Sequence, residues 1–363
     1  MVTATSPVVL HGSYDAADIT FLLKPVHVDP TDVVEKERLI QSGVRHYSEM
    51  ISFEKPPTAS YEAIFTDALD QGAERMGREI ASLAAALHRI SPKIVTLVSL
   101  VRAGAPIGVL LARALKHMGV DVAHYGVSII RDRGLDHNAL DHILARRPAS
   151  SVIFVDGWTG KGAIAGELER TLVGRGEVQP RLVVLADPCG RAWLAASGED
   201  WLIPSGILGA TVSGLISRSI LNDDVVGAGD FHGCVVWSHL SGYDRTRHFI
   251  ETVETHVEAA LRSAHAAEWT SAHRQKLAVA SSAVIDAVAA RHGVTNRNRI
   301  KPGIAEATRA ILRRVPERIF VDNPADADLA ALVHLARSAK VPLDQLPGGV
   351  APYRAITLIK PIA

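Results

Sequence analysis

Apolar and polar positions repeat along this chain on two different periods. At 61–90, "YEAIFTDALDQGAERMGREIASLAAALHRI", apolar side chains recur every three or four positions with few breakers, which predicts a helix. "KIVTLVSLV" at 93–101 is a short β-branched run and predicts a buried strand. "IGVLLARALKHMG" at 107–119 returns to helical spacing and ends near Gly119. "DVAHYGVSII" (121–130), "SVIFVD" (151–156) and "RLVVLADP" (181–188) predict three more strands, with a helix after the second. The polar segment "RDRGLDHNAL" (131–140) predicts a loop. "ITFLLKPV" predicts a strand ending before Pro25, and "IPSGILGATVSGLISRSIL" (203–221) a helix with small packing residues. "DFHGCVVWSHL" (230–240) predicts an added strand or hairpin. Strands alternating with helices argue for a parallel sheet covered on both faces.

The pattern changes near residue 250. From there to 292 the chain is rich in alanine, glutamate, arginine and histidine and holds no glycine until Gly293, so it predicts a helical connector. "NRNRIKPG" (296–303) breaks it. One more helix–strand–helix–strand unit follows: "IAEATRAILRRV", "RIFVDN", "ADLAALVHLARSAK" and "YRAITLIKP". The expected organisation is a first domain over 1–262, a connector over 263–292 and a second domain over 293–363.

Composition narrows the classes. The chain has 363 residues, 47% of them hydrophobic, enough for a large core. Lysine plus arginine number 39, as do aspartate plus glutamate, so the whole chain is no general polyanion binder. A nucleic-acid site must come from local clustering. Two cysteines, Cys189 and Cys234, lack ligand-like spacing, which argues against a disulfide framework or a zinc module. The opening "MVTATSPVVLHGSYDAAD" lacks a basic segment followed by an apolar one, and no apolar run reaches the roughly 18 residues a membrane span needs. A soluble cytoplasmic protein is the expectation.

The chemistry centres on "SVIFVDGWTGKGAIAGEL" (151–168), where an apolar strand stops at Asp156 and a glycine-rich turn leads into a helix. Backbone N–H groups in such a turn form an anion cradle, and glycine lets the anion come close. Neither the P-loop nor the dinucleotide fingerprint fits the spacing. An acid just ahead of the cradle is suited to sugar hydroxyls. Upstream, "SLVRAGAPIG" (99–108) forms a second strand–turn–helix connection.

These two segments, in this order, resemble the type I phosphoribosyltransferases. The resemblance implies that Asp156 holds the ribose of phosphoribosyl pyrophosphate (PRPP). Gly157, Thr159, Gly160, Lys161, Gly162 and Ala163 would bind its 5′-phosphate, and Val101, Arg102, Ala103 and Gly104 its pyrophosphate. Val155 stands where that family has a first acid. The leaving pyrophosphate calls for Mg²⁺ held through its own oxygens, with no protein metal site. Arg131 and Arg133 are candidates to close a mobile loop over the site, and rank as catalytic with Asp156. Such enzymes often pair, so a homodimer is possible. "DITFLLKPV", "RHYSEMIS" and "IPSGILGATVSGLISRSIL" further resemble a bacterial phosphoribosyltransferase-like family of tellurite-resistance-type stress operons, often labelled StiP-type cysteine proteases. Cys189, in "ADPCGRA", follows a strand end, where a nucleophile can sit, although a lone cysteine is usually a small core residue.

The last unit carries different chemistry. Residues 296–314 hold Arg297, Arg299, Lys301, Arg309, Arg313 and Arg314 against one acid, Glu306. "RIKPGIAEATRAILRR" resembles the L7Ae/Pelota-type RNA-binding fold, with Gly303, Glu306, Thr308 and Arg309 matching its helix-start signature and Ala305 in place of an asparagine. The implied RNA contacts are Lys301, Gly303, Glu306 and Arg309. The fold expected is α/β: a phosphoribosyltransferase-like, mainly parallel sheet covered by helices, plus a small C-terminal α/β/α Pelota-like domain. The function expected is a phosphoribosyltransferase, a glycosyltransferase using PRPP and Mg²⁺ to make or break an N-glycosidic bond, with an RNA-binding module. The alternatives are a non-catalytic nucleotide-sensing RNA-binding regulator and a cysteine hydrolase.

Overall fold

The computed structural model describes residues 10–361; the first nine residues of the segment read for a leader lie outside them. In chain order the elements begin with β1 (Thr20–Leu22), β2 (Lys24–Pro25), α1 (Val33–Gln41), α2 (Ala59–Ile90), β3 (Ile94–Leu100), α3 (Gly104–His117) and β4 (Asp121–Val127). Then come β5 (Ile129–Ile130), β6 (Gly134–Leu135), α4 (His137–Leu144), β7 (Val152–Val155), α5 (Ala163–Thr171), β8 (Leu182–Ala186), β9 (Leu194–Ser197), β10 (Gly233–Cys234) and α6 (Thr246–Leu261). The remainder is α7 (Ser271–Arg291), β11 (Ile300–Pro302), α8 (Ile304–Arg313), β12 (Pro316–Val321), α9 (Ala330–Ser338), β13 (Leu343–Gln345) and β14 (Ala355–Ile359).

The first unit is built on a six-stranded sheet in the order β1-β4-β3-β7-β8-β9, parallel throughout. Its central strands are buried on both faces, which is why "VIFV" and "LVVLA" read as unbroken apolar runs. On one face α2, α3 and α6 bury Leu83, Leu87, Leu111 and Phe249 against Val95, Leu97 and Val183. On the other, α4 and α5 bury Leu140, Ile143 and Leu168 against Val98, Phe154 and Val184. Close packing of α2 on α6 depends on Gly77: a Cβ there would lie 2.5 Å from His256 Cβ.

The second unit has a sheet in the order β11-β14-β12-β13, antiparallel except for β12 with β13. One face packs on α7 through Ile285, Val288, Phe320 and Ile356. The other face, with Ile319 and Val321, joins Leu332 of α9 in the core that holds α2 and α3. The two units therefore share apolar packing. The observed class is α/β, a mainly parallel sheet covered by helices with a smaller C-terminal α/β unit.

Several local expectations need correcting. Residues 203–221 form tight 3₁₀ turns rather than a helix. Gly214 has φ +77°, and its added Cβ would sit 2.9 Å from the Tyr14 ring, so the glycines serve close approach and not helix packing. The 131–140 "loop" contains the turn and second strand of the β5/β6 hairpin and the start of α4, whose first turn is capped by the Asp136 carboxylate accepting from Ala139 N–H at 3.0 Å. The strand read before Pro25 includes it: among the described residues β2 pairs with β10 alone, through the N–H groups of Lys24 and Val26, so proline's missing donor costs nothing. The added strand at 230–240 is only the two residues of β10.

Candidate functional site

The turns after β3, β7 and β8 open at the carboxyl edge of the sheet, where ligands commonly bind in α/β proteins. Here that edge faces α8 and β11 of the second unit. Between them lies a cavity of about 350 Å³, lined by Val101, Ala103, Asp156 and the 158–165 turn on one side and by Lys301, Glu306 and Arg309 on the other.

Asp156 lines this cavity with Gly157 N–H donating to its own carboxylate at 2.8 Å. Burial pushes its pKa up to about 7; the Gly157 bond and Arg309 oppose this, and Glu306 adds to it. The Arg309 guanidinium lies 4.4 Å over the Trp158 ring, so Trp158 stacks on the second unit. Gly162 starts α5 with φ +77°, where a Cβ would meet Arg191 at 2.5 Å. Ala163 is the first residue of α5. The backbone of Thr159 donates to Ala186 O at 3.0 Å.

The chain itself occupies much of the turn. Lys161 Nζ donates to the carbonyls of Arg297 and, at 3.2 Å, Ile300. Burial, then repulsion from Lys301 and Arg131, brings its pKa down to about 7. Tyr353 OH donates to Gly160 O at 2.7 Å, and a Cβ on Gly160 would lie 3.1 Å from Glu306 Cγ. Lys301, Glu306 and Arg309 all face the cavity. Gly303 begins α8 with φ +88°, but the helix mouth is already capped: the Asp200 carboxylate accepts from Ile304 N–H at 3.0 and 3.1 Å and from Arg354 N–H at 2.8 Å. The site residues read from the two ends of the sequence thus meet across one interface.

The 101–104 turn divides its side chains. Val101 and Ala103 line this cavity, whereas Arg102 turns to a neighbouring one, pairing with Glu54 at 2.8 Å and donating to Ile216 O at 2.8 Å. Gly104 is required for packing, since a Cβ would fall 2.1 Å from Val155 O. Arg131 lines the cavity and reaches Asn298 at 3.3 Å; Arg133 pairs with Glu49 away from it. Among the described residues no group of three or more histidine, cysteine or acidic side chains is placed to hold a metal ion. No helix there is long and apolar enough to cross a membrane.

Both thiols are buried. Cys189, in the turn after β8, has Sγ 3.1 Å from Thr159 Oγ1 and 3.4 Å from Asp187 Oδ1. Thr159 Oγ1 also donates to Asp187, whose other oxygen accepts from Ala192 N–H at 2.6 Å. Burial, then the Asp187 charge, pushes the Cys189 thiol far up, so it is held protonated. Cys234 lies in β10, pushed up to about 12 by burial alone. No histidine is hydrogen-bonded to either thiol among the described residues.

Residues 12–254 match the family of the tellurite-like stress resistance cysteine protease StiP. Over 361 residues the chain is 47% identical to the cysteine protease StiP of Acinetobacter baylyi, covering 96% of this chain and 94% of that protein. The chain belongs to the StiP family. Residues 279–361 also match the PELOTA RNA binding domain. Solved structures similar in part include a hypoxanthine-guanine phosphoribosyltransferase of Bacillus anthracis (14% identity, TM-score 0.26, 34% of this chain and 77% of that one). Another is the hypoxanthine phosphoribosyltransferase of Trypanosoma cruzi (14%, TM-score 0.28, 37% and 82%). Likeness at that level carries no argument about chemistry.

The StiP match overturns the expected phosphoribosyltransferase. The reading of a transferase, a glycosyltransferase using PRPP with Mg²⁺, is corrected to membership of a family named for a cysteine protease, and so to an enzyme family of a different class. The physical reason for the error is that a glycine turn after a buried strand is a generic anion cradle, which identifies a local shape and no reaction. The stress-response and Pelota readings stand.

Sequence reading missed Lys36, Glu54, Asp187, Asp200 and Arg218. Arg313 stands out in the sequence only as part of a basic run. Asp200 had no local signal, because its partners Ile304 and Arg354 lie more than a hundred residues away.

Proposed function

We propose that this chain is a hydrolase of the cysteine class with an RNA-contacting C-terminal unit, and that Cys189 is its nucleophile. The class is supported by the name of the 47% identical relative from Acinetobacter baylyi. One observation favours Cys189 over Cys234. It stands at the carboxyl end of β8, beside Thr159 of the neighbouring turn and within 3.4 Å of the Asp187 carboxylate as a proton acceptor. Among the described residues Cys234 has no such partners. A nucleophilic thiol must ionise and meet its substrate. The buried, protonated Cys189 is therefore a resting form, and activity requires the interface over the turn to open.

The test is hydrolysis of a broad peptide mixture by the wild type, Cys189→Ser and Cys234→Ser. Activity abolished at least a hundredfold by the first substitution and retained after the second is the expected outcome. Activity that survives Cys189→Ser, or a wild type that cleaves nothing, ends this reading.

A second reading is favoured by the burial of both thiols: a non-catalytic regulator whose RNA binding responds to a nucleotide. RNA contact is supported by the Pelota match over residues 279–361. In this reading the same peptide assay is blank and RNA affinity shifts when nucleotide is added.

A further inference from the structure

A second cavity, of about 420 Å³, adjoins the first along α8. It shares Lys36, Arg218, Arg309 and Arg313 with the first, but its other walls are different. They come from residues 51–58, the start of α2, the 207–211 turn, and α9. That size suits a small organic ligand.

Its charges do not balance. Lys36, Lys55, Arg102, Arg218, Arg309 and Arg313 line it against a single carboxylate, Glu54. Glu54 is already engaged by Arg102, at 2.8 and 3.1 Å, and by Ala210 N–H at 2.5 Å. Arg218 spends donors on the carbonyls of Ser219 and Met50 and lies 5.4 Å from the Tyr47 ring centroid, but it forms no ion pair among the described residues. Arg309 rests on Trp158, and its Nε is buried without a partner, as is the Nε of Arg102. Arg313 forms no hydrogen bond or ion pair among the described residues; burial and repulsion from Arg102 and Arg309 lower its pKa to about 9.

Buried cations short of counter-charge are costly, and an anion brought in from outside relieves that cost. Guanidinium groups match phosphate oxygens in pairs. The opposite wall is apolar and partly aromatic. Tyr61, Ile207, Leu208 and Trp237 line it, and His334 lies flat against Tyr61 with ring centroids 6.1 Å apart. A bare inorganic anion would leave that wall wet.

We propose that this cavity binds an organic phosphate of at least two negative charges, its phosphoryl groups on Arg309 and Arg313 and its flat apolar body against Tyr61 and Trp237. Nucleoside di- and triphosphates have this chemistry. Arg309 and Arg313 belong to α8, whereas Tyr61, Arg102 and Arg218 belong to the first unit, so the ligand bridges the two. The inference does not rest on the thiol chemistry above, and its test reads binding, not hydrolysis.

The full chain would be titrated calorimetrically, and its thermal midpoint followed, with ATP, GTP, adenosine, pyrophosphate and a short single-stranded RNA. The expected result is saturable binding of ATP or GTP, with pyrophosphate at least about tenfold weaker and adenosine weaker still. Arg313→Gln should weaken nucleotide binding about tenfold or more. Tyr61→Leu should narrow the gap between ATP and pyrophosphate. Where either variant has lost its cooperative thermal transition, Lys55→Gln, from an exposed lining position, replaces it, with a weaker loss expected in the same direction. Pyrophosphate binding as tightly as ATP, RNA alone binding, no anion binding, or affinity unchanged in the folded variants would each overturn the proposal.

Discussion

Asp156 shows how a single residue takes its chemistry from its surroundings. Its carboxyl would ordinarily titrate near 3.8, but burial moves it to about 7. Between those values the folded chain binds more protons than the unfolded one, so stability falls as pH rises through that window. Asp156→Asn removes this dependence. The loss of stability between pH 5 and pH 8, measured by urea unfolding, should be smaller in the variant by about 1–2 kcal/mol, allowing for solvent reaching the cavity. An identical pH profile in the two proteins would reject the assignment. Cys189 differs in one respect. Its place after a strand end was legible in the chain, but its neighbour Thr159 stands 30 residues earlier. Only the pairing of adjacent strands brings the turns that carry them together.

Among the elements, α2 illustrates a pattern that was legible because its periodicity is long: 32 residues with one buried face, capped by Thr58 accepting from Tyr61 N–H at 3.3 Å. What it packs against was not legible. At Gly77, alanine would improve helix propensity by about 1 kcal/mol, yet its Cβ would lie 2.5 Å from His256 Cβ on α6. Overpacking of this kind costs about 1–3 kcal/mol, so Gly77→Ala should lower the thermal midpoint by several degrees. A raised midpoint would show that α6 yields freely. The segment 203–221 failed as a predicted helix for the converse reason. Its glycines and small residues serve tight turns against Tyr14 and the first sheet, and a window of composition does not reveal such partners. At α8 the N-terminus is held by Asp200. Asp200→Ala leaves the N–H groups of Ile304 and Arg354 without that acceptor and should cost about 1–3 kcal/mol, read as a lower urea midpoint.

At the scale of the molecule, the two units are fastened across the face that carries the RNA-binding signature. Arg314 pairs with the fully buried Glu37, Tyr353 bonds Gly160, and Asp200 caps α8. Lys301, Glu306 and Arg309 therefore line a cavity between the units and are only partly exposed. Loosening the interface should release them. Asp200→Ala is expected to raise RNA affinity severalfold in a gel-shift series, with a steeper fall as salt is added, because more phosphates are then neutralised. Unchanged affinity and slope would place RNA on another surface. The same opening is what a nucleophilic role for Cys189 would require.

The sequence by itself determined the alternation of buried strands and amphipathic helices, the glycine turn after Val155, and the basic helix of the last unit. Each is a local pattern whose period or turn chemistry is written within a dozen residues. Tertiary structure alone decided that these pieces face one another. It set Lys161 on the carbonyls of β11 and its approach, Asp200 on α8, and six arginine and lysine side chains around one carboxylate, and it buried both thiols. Such juxtapositions depend on strand order and on the packing of one sheet against another, which bring together residues separated by fifty to two hundred positions.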